Sequence, residues 1–329
     1  MTCRVAAVDC GTNSLRLLVA DVDLDRAEIH DLTRRMEIVR LGQGVDKTGQ
    51  LAPEALARTI GVLRDYAGII TGSAVQAVRM VATSATRDAA NAAEFVHQVS
   101  GVLGVAPEVL TGAEEAMLSF TGATADLAAD HDRGPFLVAD IGGGSTEFVL
   151  GEIALAAAAS VNAGAATSAV RAISVNIGCV RMTERHLHGD PPTGQEVAAA
   201  TADIDAALGT VTDAVPVTHA RTLVGLAGSV TTVAAIALGL PAYDAARTHH
   251  ARVSAADVHA VTRALLAQDT RTRAKIGVMH PGRVDVIGGG ALILDRIMER
   301  FGFAEVLVSE HDILDGLAWS LARTWCGPG

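Results

Sequence analysis

The sequence predicts an α/β protein made of two similar domains, each with a mixed central sheet flanked by helices. The chain has 329 residues, of which 50% are hydrophobic and 19% charged, so it is long and apolar enough for two globular cores. Residues 136–151, FLVADIGGGSTEFVLG, read as a buried strand, a glycine turn and a second strand. Residues 5–21, VAAVDCGTNSLRLLVAD, read in the same order, and this repetition is the main ground for two domains.

The two repeats match at positions that could bind phosphate. Aligning Asp9 with Asp140 also superimposes the glycines and serines that follow them. We call the two glycine turns loop 1 (Cys10–Ser14) and loop 2 (Gly142–Ser145). Glycines let a backbone approach a ligand closely and turn its N–H groups towards it, so each loop can hold a phosphate. One such turn is weak support, because many hairpins turn on glycine, but two in register favour a shared function.

The first half of the chain is predicted to form a hairpin, a third strand and then alternating helices and strands. Pro53 marks the start of a helix, because a proline in the first turn loses no hydrogen bond. In order, the predicted elements are strands Arg4–Asp9, Leu15–Asp23 and Ala27–Thr33, an irregular stretch Arg34–Thr48, a helix from Pro53 towards Ile70, strand Val75–Ala82, helix Asp88–Leu103, strand Glu108–Leu110 and helix Gly112–Ala128.

The second half repeats this order and adds two glycine turns. The predicted elements are strands Phe136–Asp140, Thr146–Glu152 and Ile173–Val175, a helix beyond Arg181, helix Gly194–Ala214, strand Leu223–Leu226 with the turn Gly225–Gly228, a helix from Val230, helix Ser254–Ala267, strand Val284–Ile287 with the turn Gly288–Gly290, helix Ala291–Phe301, strand Val306–Val308 and helix Asp312–Ala322. The alanine-rich stretch Ala154–Ala172 is predicted to form a surface hairpin or loop. Thr222–Tyr243 carries no charge, but its glycines and Pro241 favour a strand, a turn and a short buried helix over a membrane span.

Net charge and cysteine content narrow the function classes. The net charge of −11 has the wrong sign for a nucleic-acid binder, and an anionic substrate would need arginines gathered locally. The cysteines, Cys3, Cys10, Cys179 and Cys326, show no CxxC or metal-ligand spacing. Without a signal peptide, we expect separate thiols in a reducing cytoplasm. Cys10 lies in loop 1, where a small packed residue is expected rather than a nucleophile.

The histidines do not predict a metal site. His249 and His250 are adjacent, so their side chains are expected to diverge. His186 and His188 lack a cysteine or acid at ligand distance. His311 is assigned no chemistry.

Five motifs run in order along nearly the whole chain. They are AAVDCGTNSLRLL from Ala6, ATSATRDAAN (Ala82–Asn91), TGAEEA (Thr111–Ala116), DIGGGSTEFVLG from Asp140 and SEHDILDGLAW (Ser309–Trp319). Together they resemble the exopolyphosphatase / guanosine pentaphosphate phosphatase (Ppx/GppA) family of the acetate-and-sugar-kinase, heat-shock-chaperone and actin superfamily. The resemblance implies two actin-like (ribonuclease H-like) domains that face an interdomain cleft.

The resemblance also implies domain boundaries. Domain I is expected at residues 1–125 and domain II at residues 126–309, with a C-terminal helix at about 310–325 that packs back on domain I. The chain stops where longer relatives add helical domains, so the short, two-domain form is expected. Homodimers are expected on family grounds alone.

The implied activity is that of a phosphoanhydride hydrolase dependent on Mg²⁺ or another divalent cation. This chemistry requires neutralised phosphoryl oxygens, an aligned water and a fixed leaving phosphate. Asp9, Asp140 and Glu147 are the candidate metal ligands, since a carboxylate beside each loop can hold Mg²⁺ directly or through water. Arg181 could bind phosphate, but it could equally well lie on a helix face that is exposed to solvent. The candidate phosphate-binding residues are Gly11, Thr12, Asn13, Ser14, Arg16, Arg87, Gly142, Gly143, Gly144, Ser145, Thr146 and Arg181.

Two adjacent glutamates, Glu114 and Glu115, are the candidate catalytic residues. They begin a helix, where neighbouring side chains point in different directions, so one of them is expected to enter the site. The resemblance implies that Glu115 orients and partly deprotonates the attacking water, with Glu114 an acid favoured by the helix dipole. Arg87 is expected to bind phosphate; a surface salt bridge to Asp88 or Glu94 is the alternative.

The predicted activity is release of orthophosphate from the end of linear inorganic polyphosphate, with short chains preferred because no added domain grips a long one. One alternative is removal of the 5′ γ-phosphate of guanosine pentaphosphate, which would need a guanine and ribose pocket. Another is a sensor that binds guanosine penta- or tetraphosphate without turnover. A kinase would use the turns Gly225–Gly228 and Gly288–Gly290 around an adenosine, but TGAEEA and SEHDILDG favour the phosphatase.

Overall fold

The computed structural model describes residues 2–127, 134–152 and 170–327, and these divide into two compact units. Unit 1 comprises Met1–Gly122 and Ile313–Gly329, and unit 2 comprises Ala123–Asp312. All but the last three residues of the alanine-rich stretch Ala154–Ala172 lie outside the described residues.

Unit 1 is built on a five-stranded mixed sheet. Its strands are β1 (Thr2–Cys10), β2 (Ser14–Asp23), β3 (Glu28–Ile38), β4 (Ala77–Ala82) and β5 (Glu108–Val109). Their order across the sheet is β3-β2-β1-β4-β5, with β1, β2 and β3 antiparallel and with β4 and β5 parallel to β1. The predicted hairpin around loop 1 is confirmed.

The third strand is longer than predicted. The stretch Arg34–Thr48 was expected to be irregular, but β3 continues to Ile38, which pairs with Ser14. The strand lies at the edge of the sheet and is mostly exposed, so its sequence lacks the apolar run that marks the buried strands.

Helices α2 and α4 pack against each other and bury the main core of unit 1 with the sheet. The unit-1 helices in this part of the chain are α1 (Val45–Thr48), α2 (Pro53–Gly72), α3 (Ser84–Arg87), α4 (Ala92–Leu103) and α5 (Gly112–Thr124), the last of which crosses the unit boundary. The predicted helix Asp88–Leu103 is confirmed as α4, which begins later, at Ala92, and the short helix α3 before it was not predicted.

Unit 2 repeats the strand order of unit 1. Its strands are β6 (Phe136–Ile141), β7 (Thr146–Gly151), β8 (Arg171–Val175), β9 (Thr222–Leu226), β10 (Arg252–Ser254) and β11 (Glu305–Val308). Read from β8, the order β8-β7-β6-β9-β11 corresponds to β3-β2-β1-β4-β5 of unit 1, and β10, which precedes β11 in the sequence, is added at the edge. The predicted fold class, two α/β units with mixed sheets flanked by helices, is confirmed.

The helices of unit 2 correct the two predicted glycine turns. They are α6 (Cys179–His186), α7 (Gly194–Ala214), α8 (Ala227–Ala237), α9 (Ala245–Thr248), α10 (Ala255–Leu266), α11 (Thr270–Arg273) and α12 (Ile287–Phe301). Gly288–Gly290 lies inside α12, and the predicted strand Val284–Ile287 is wrong. A Cβ at Gly290 would overlap Ser229 on α8, so this glycine serves helix packing. Gly225 likewise belongs to β9 and Gly228 to α8.

The final helix, α13 (Ile313–Cys326), belongs to unit 1 and packs on β1, β2 and β4. Asp315 on this helix is buried and forms an ion pair with Arg34, with Nη2 to Oδ1 at 2.5 Å. A disulfide joins Cys3 on β1 to Cys326 at the end of α13. The prediction of separate thiols is therefore wrong for these two cysteines, whereas Cys10 and Cys179 are free and buried.

Within the described residues, no helix combines the length and the apolar character needed to cross a bilayer. The uncharged stretch Thr222–Tyr243 contains β9 and α8, which confirms its predicted division into a strand and a helix.

Candidate active site

The candidate residues of unit 1 lie where three parallel strands end. Cys10 pairs with Ala82, and Ala82 pairs with Val109, so the carboxyl ends of β1, β4 and β5 share one edge of the sheet. Loop 1 follows β1, α3 with Arg87 follows β4, and the start of α5 with Glu115 follows β5. Ligands of open α/β sheets bind outside such an edge.

Loop 1 is held mainly through its carbonyl groups and one hydroxyl. The N–H of Gly11 donates to the Ser14 carbonyl at 2.9 Å, and the Thr12 carbonyl accepts from the N–H of Gly42 at 2.8 Å. The Thr12 hydroxyl lies 2.8 Å from the hydroxyl of Ser84 on α3. Asn13 Oδ1 is buried and has no hydrogen-bond partner among the described residues, which singles it out in an otherwise well-bonded loop.

Asp9 and Asp140 occupy matching positions in the two repeats, but the residues that face them across the hairpins differ. In unit 1, Asp9 faces Arg16 across the β1–β2 hairpin, and Arg16 Nη2 lies 2.6 Å from Asp9 Oδ2. In unit 2, Asp140 faces Glu147 across the β6–β7 hairpin, and both are buried. Equivalent positions therefore hold a partly buried ion pair in one unit and two buried carboxylates in the other.

Glu115 and Arg87 come together although they are far apart in the sequence. Glu115 is 8% exposed, and its Oε2 lies 3.1 Å from Arg87 Nη1. The same nitrogen donates to the carbonyl of Leu110 at 2.8 Å. Arg87 thus pairs with Glu115 and not with Asp88 or Glu94, the alternatives considered from the sequence.

Glu114 has a different role from its neighbour. Its carboxylate accepts hydrogen bonds from the N–H and the hydroxyl of Thr111, both at 2.8 Å, and its own N–H donates to that hydroxyl. The bonds from the Thr111 backbone and hydroxyl lower the pKa of Glu114. This reciprocal arrangement is a capping box at the N-terminus of α5.

Loop 2 is held by the start of α6. The N–H groups of Cys179 and Val180 donate to the carbonyls of Gly142 and Gly143, each at 2.9 Å, and Arg181 Nε donates to the Gly144 carbonyl at 2.7 Å. The structure therefore places Arg181 against loop 2 and not on a solvated helix face.

Two further residues of unit 2, one beside loop 2 and one beside Glu147, were not predicted. A Cβ at Gly178 would lie 2.6 Å from the carbonyl carbon of Gly144 and would overlap Gly143, so only glycine fits there. The hydroxyl of Ser174 on β8 donates to Glu147 Oε1 at 2.7 Å and fixes that carboxylate. The position of Gly178 directly before α6 is a sequence signal from which its role could have been predicted. Nothing in the sequence pattern distinguishes Ser174.

The thiol of Cys10 is not suited to nucleophilic attack. Burial raises its pKa well above the usual range, and the neighbouring Asp9 carboxylate adds to the rise. Because the thiolate is the reactive form, Cys10 is a packed residue of unit 1.

Known proteins resemble the chain along nearly its whole length. Residues 18–324 match the Ppx/GppA phosphatase family. A Mycobacterium tuberculosis protein named Exopolyphosphatase 2 is 50% identical over 330 aligned positions, which cover 97% of this chain and 98% of that protein. A solved exopolyphosphatase-like protein is 41% identical with a TM-score of 0.90, covering 98% of this chain and 99% of its own. The Aquifex aeolicus PPX-GPPA enzyme is 29% identical with a TM-score of 0.77, covering 97% of this chain and 100% of its own. The chain belongs to the Ppx/GppA phosphatase family.

Proposed function

We propose that the protein is an exopolyphosphatase that removes the terminal phosphate of linear inorganic polyphosphate. The observation that carries this proposal is the buried carboxylate of Glu115, held by Arg87 at the sheet edge that loop 1 also occupies. The likeness to the Mycobacterium tuberculosis protein named Exopolyphosphatase 2 supports the choice of substrate.

Both loops are assigned to substrate phosphates. Gly11, Thr12, Asn13 and Ser14 of loop 1 would bind through backbone and side-chain donors, as would Gly142, Gly143, Gly144, Ser145 and Thr146 at loop 2. In the described part of the chain, both side-chain bonds of Arg87 use Nη1, so its Nη2 can donate to a phosphate oxygen. Arg181 would bind a phosphate at loop 2, because its Nε already donates to the carbonyl of Gly144 in that loop.

A divalent cation fits the carboxylates of unit 2 better than those of unit 1. Asp140 and Glu147 are buried and lie at directly opposed strand positions, so their two carboxylates can bind one cation together. Their oxygen donors suit Mg²⁺. Asp9 already has Arg16 as its cation, so we assign Asp9 and Arg16 to holding loop 1 and not to the metal or the substrate. The cation would neutralise charge on the phosphoryl oxygens.

The hydrolytic step is assigned to Glu115. The oxygen of a water forms a bond to the terminal phosphorus while the bond from that phosphorus to the bridging oxygen breaks. Glu115 accepts the proton of the water, and the products are orthophosphate and a chain one phosphate shorter. Arg87 fixes the direction in which the Glu115 carboxylate points. Glu114 is given the capping role and no catalytic one.

The substrate is tested by measuring phosphate release from polyphosphates of defined length and from guanosine pentaphosphate, side by side with Mg²⁺. We expect the highest kcat/KM on short polyphosphate. Faster turnover of guanosine pentaphosphate than of every polyphosphate would overturn the proposed substrate, and equal use of very long polymer would remove the short-chain preference.

The kinase alternative loses its structural support. The glycines that were to frame an adenosine lie within a strand and two helices, where a Cβ on Gly228 would overlap Arg283 and one on Gly290 would overlap Ser229.

A further inference from the structure

A cluster of histidines in unit 2 lies outside the residues assigned to polyphosphate hydrolysis. Three imidazoles approach one carboxylate oxygen, Oδ2 of Asp126. The distances are 3.0 Å from His249 Nε2, 2.9 Å from His311 Nδ1 and 3.5 Å from His250 Nε2. The ligand atoms of Asp126, His249 and His311 all lie within 4.8 Å of one another.

The convergence of His249 and His250 contradicts the sequence expectation that adjacent side chains diverge. His250 has a positive φ of 58°, a left-handed conformation that turns its side chain to the same side as that of His249. The two rings stack with centroids 3.9 Å apart. The N–H of His250 donates to the carbonyl of Val308 at 2.7 Å, which holds this segment beside the end of β11 and hence beside His311.

We propose that Asp126, His249 and His311 form a binding site for a divalent transition-metal ion of the Zn²⁺ type. Two imidazole nitrogens and one carboxylate oxygen are ligands that such ions prefer, with a fourth position left for water, whereas Mg²⁺ and Ca²⁺ prefer oxygen alone. In a tetrahedral site with bonds of about 2.0–2.1 Å, ligand atoms lie about 3.4 Å apart. Asp126 Oδ2 lies 3.0 Å from His249 Nε2 and 2.9 Å from His311 Nδ1, and all three ligand atoms lie within 4.8 Å of one another. The site is therefore chemically distinct from the Asp140 and Glu147 carboxylates.

A second observation supports a ligand at Asp126. Its other oxygen, Oδ1, is buried and has no hydrogen-bond partner among the described residues. Buried carboxylate oxygens are normally satisfied, and coordination of a cation by the carboxylate would satisfy this one. The histidine side chains are 22–39% exposed, so an ion can reach the cluster from solvent.

One hydrogen bond predicts which histidine contributes less to the affinity for the metal ion. The N–H of Glu310 donates to His249 Nδ1 at 3.2 Å, so the neutral ring of His249 carries its proton on Nε2. Coordination through Nε2 moves that proton to Nδ1 and removes the bond from Glu310. His249 is therefore expected to contribute less to metal affinity than His311.

The site would connect distant parts of the chain. Asp126 and His311 lie close to the two ends of unit 2, Ala123 and Asp312, where the chain passes to and from unit 1. A bound ion would tie these two segments together and should raise the unfolding temperature of the full-length protein.

The test is a calorimetric titration of the metal-stripped full-length protein with Zn²⁺, in saturating Mg²⁺ so that the carboxylate site of unit 2 is occupied. The variants are His311→Ala and Asp126→Asn, with His249→Ala as a substitute if either fails to fold by circular dichroism. His259→Ala is the matched control, because His259 pairs with Asp295 alone on the surface of the same unit.

We expect one Zn²⁺ per wild-type chain, affinity at least about tenfold weaker in His311→Ala and Asp126→Asn, and no change in the control. Zn²⁺ should raise the unfolding temperature of the wild type but not of these variants. Co²⁺ in place of Zn²⁺ should give the intense visible absorption of a four-coordinate site. Absence of Zn²⁺ binding under these conditions, or equal affinity in wild type and His311→Ala, would overturn the proposal.

Discussion

At the scale of single residues, the main distinction lies between two structurally equivalent side chains, Arg16 and Glu147. Each faces an aspartate across a hairpin that carries a glycine loop. Arg16 neutralises Asp9 within the protein, whereas Glu147 adds a second buried negative charge beside Asp140. One exchange of residue type therefore turns an equivalent position from a structural ion pair into a candidate cation site.

The variant Glu147→Gln tests this distinction. Loss of one carboxylate should raise the Mg²⁺ concentration for half-maximal activity by about tenfold or more. Glu152→Gln, an exposed residue just beyond the same strand, is the control. An unchanged Mg²⁺ requirement in Glu147→Gln would contradict the assignment.

Cys10 allows a second prediction at this scale. Because its thiol is buried and its pKa is raised, Cys10→Ala should change kcat for phosphate release by no more than about twofold, while stability falls by about 1 kcal/mol. The measurement is phosphate release, with chemical denaturation to follow stability. A folded Cys10→Ala protein that lacks turnover would show that the thiol takes part in the reaction.

At the scale of secondary-structure elements, glycines set how closely segments pack. Gly178 lets the segment before α6 approach loop 2, and Gly290 lets α12 approach α8. Gly316 does the same for α13, where a Cβ would overlap the carbonyl of Leu118 on α5. The positions of loop 2 and of α13 therefore depend on the absence of side chains at these points.

Gly178→Ala is expected to displace loop 2, because the new methyl group would overlap the backbone of Gly143 and Gly144. A shift of about 1 Å in a phosphate loop can lower turnover by about a hundredfold, so a loss of that order is expected in phosphate release. Gly194→Ala is the control, since a Cβ there meets no atom within 4 Å and the residue begins a helix. Equal activity in the two variants would contradict the packing role of Gly178.

The sequence predicts those elements whose signals are local. The hairpins around both loops follow from apolar runs that flank glycines, and α7 was predicted with its observed bounds, Gly194–Ala214. Packing glycines and turn glycines look alike in a sequence, so Gly288–Gly290 was placed in a turn although it lies in α12. The Glu115–Arg87 pair and the histidine cluster depend on contacts between distant segments, and the latter also on the unusual backbone of His250.

At the scale of the whole molecule, one strand order occurs twice, and unit 1 is completed by both ends of the chain. The helix α13 packs on the strands that begin unit 1, and the Cys3–Cys326 disulfide joins the two ends covalently. A link that closes so long a loop restricts the unfolded chain strongly, so it should contribute to stability.

The disulfide predicts a difference between wild type and Cys326→Ser. Without reductant, the variant should be less stable by about 2–4 kcal/mol in chemical denaturation. With dithiothreitol the two proteins should approach the same stability, which serves as the control. The intact wild-type mass should rise by two hydrogens on reduction. A wild-type mass that does not change would show that Cys3 and Cys326 are not joined.

The central claim is that Glu115 activates the water that attacks the terminal phosphate, and its neighbour Glu114 provides a matched comparison. Both are adjacent glutamates of one helix turn, but Glu115 is buried against Arg87 whereas Glu114 caps the helix. The most direct measurement is kcat for phosphate release from short polyphosphate, together with polyphosphate binding, in Glu115→Gln and Glu114→Gln. We predict that kcat falls by about 10²–10⁴-fold in Glu115→Gln with binding retained, while Glu114→Gln keeps its turnover. Wild-type turnover in Glu115→Gln, or an equal loss in both variants, would contradict the account.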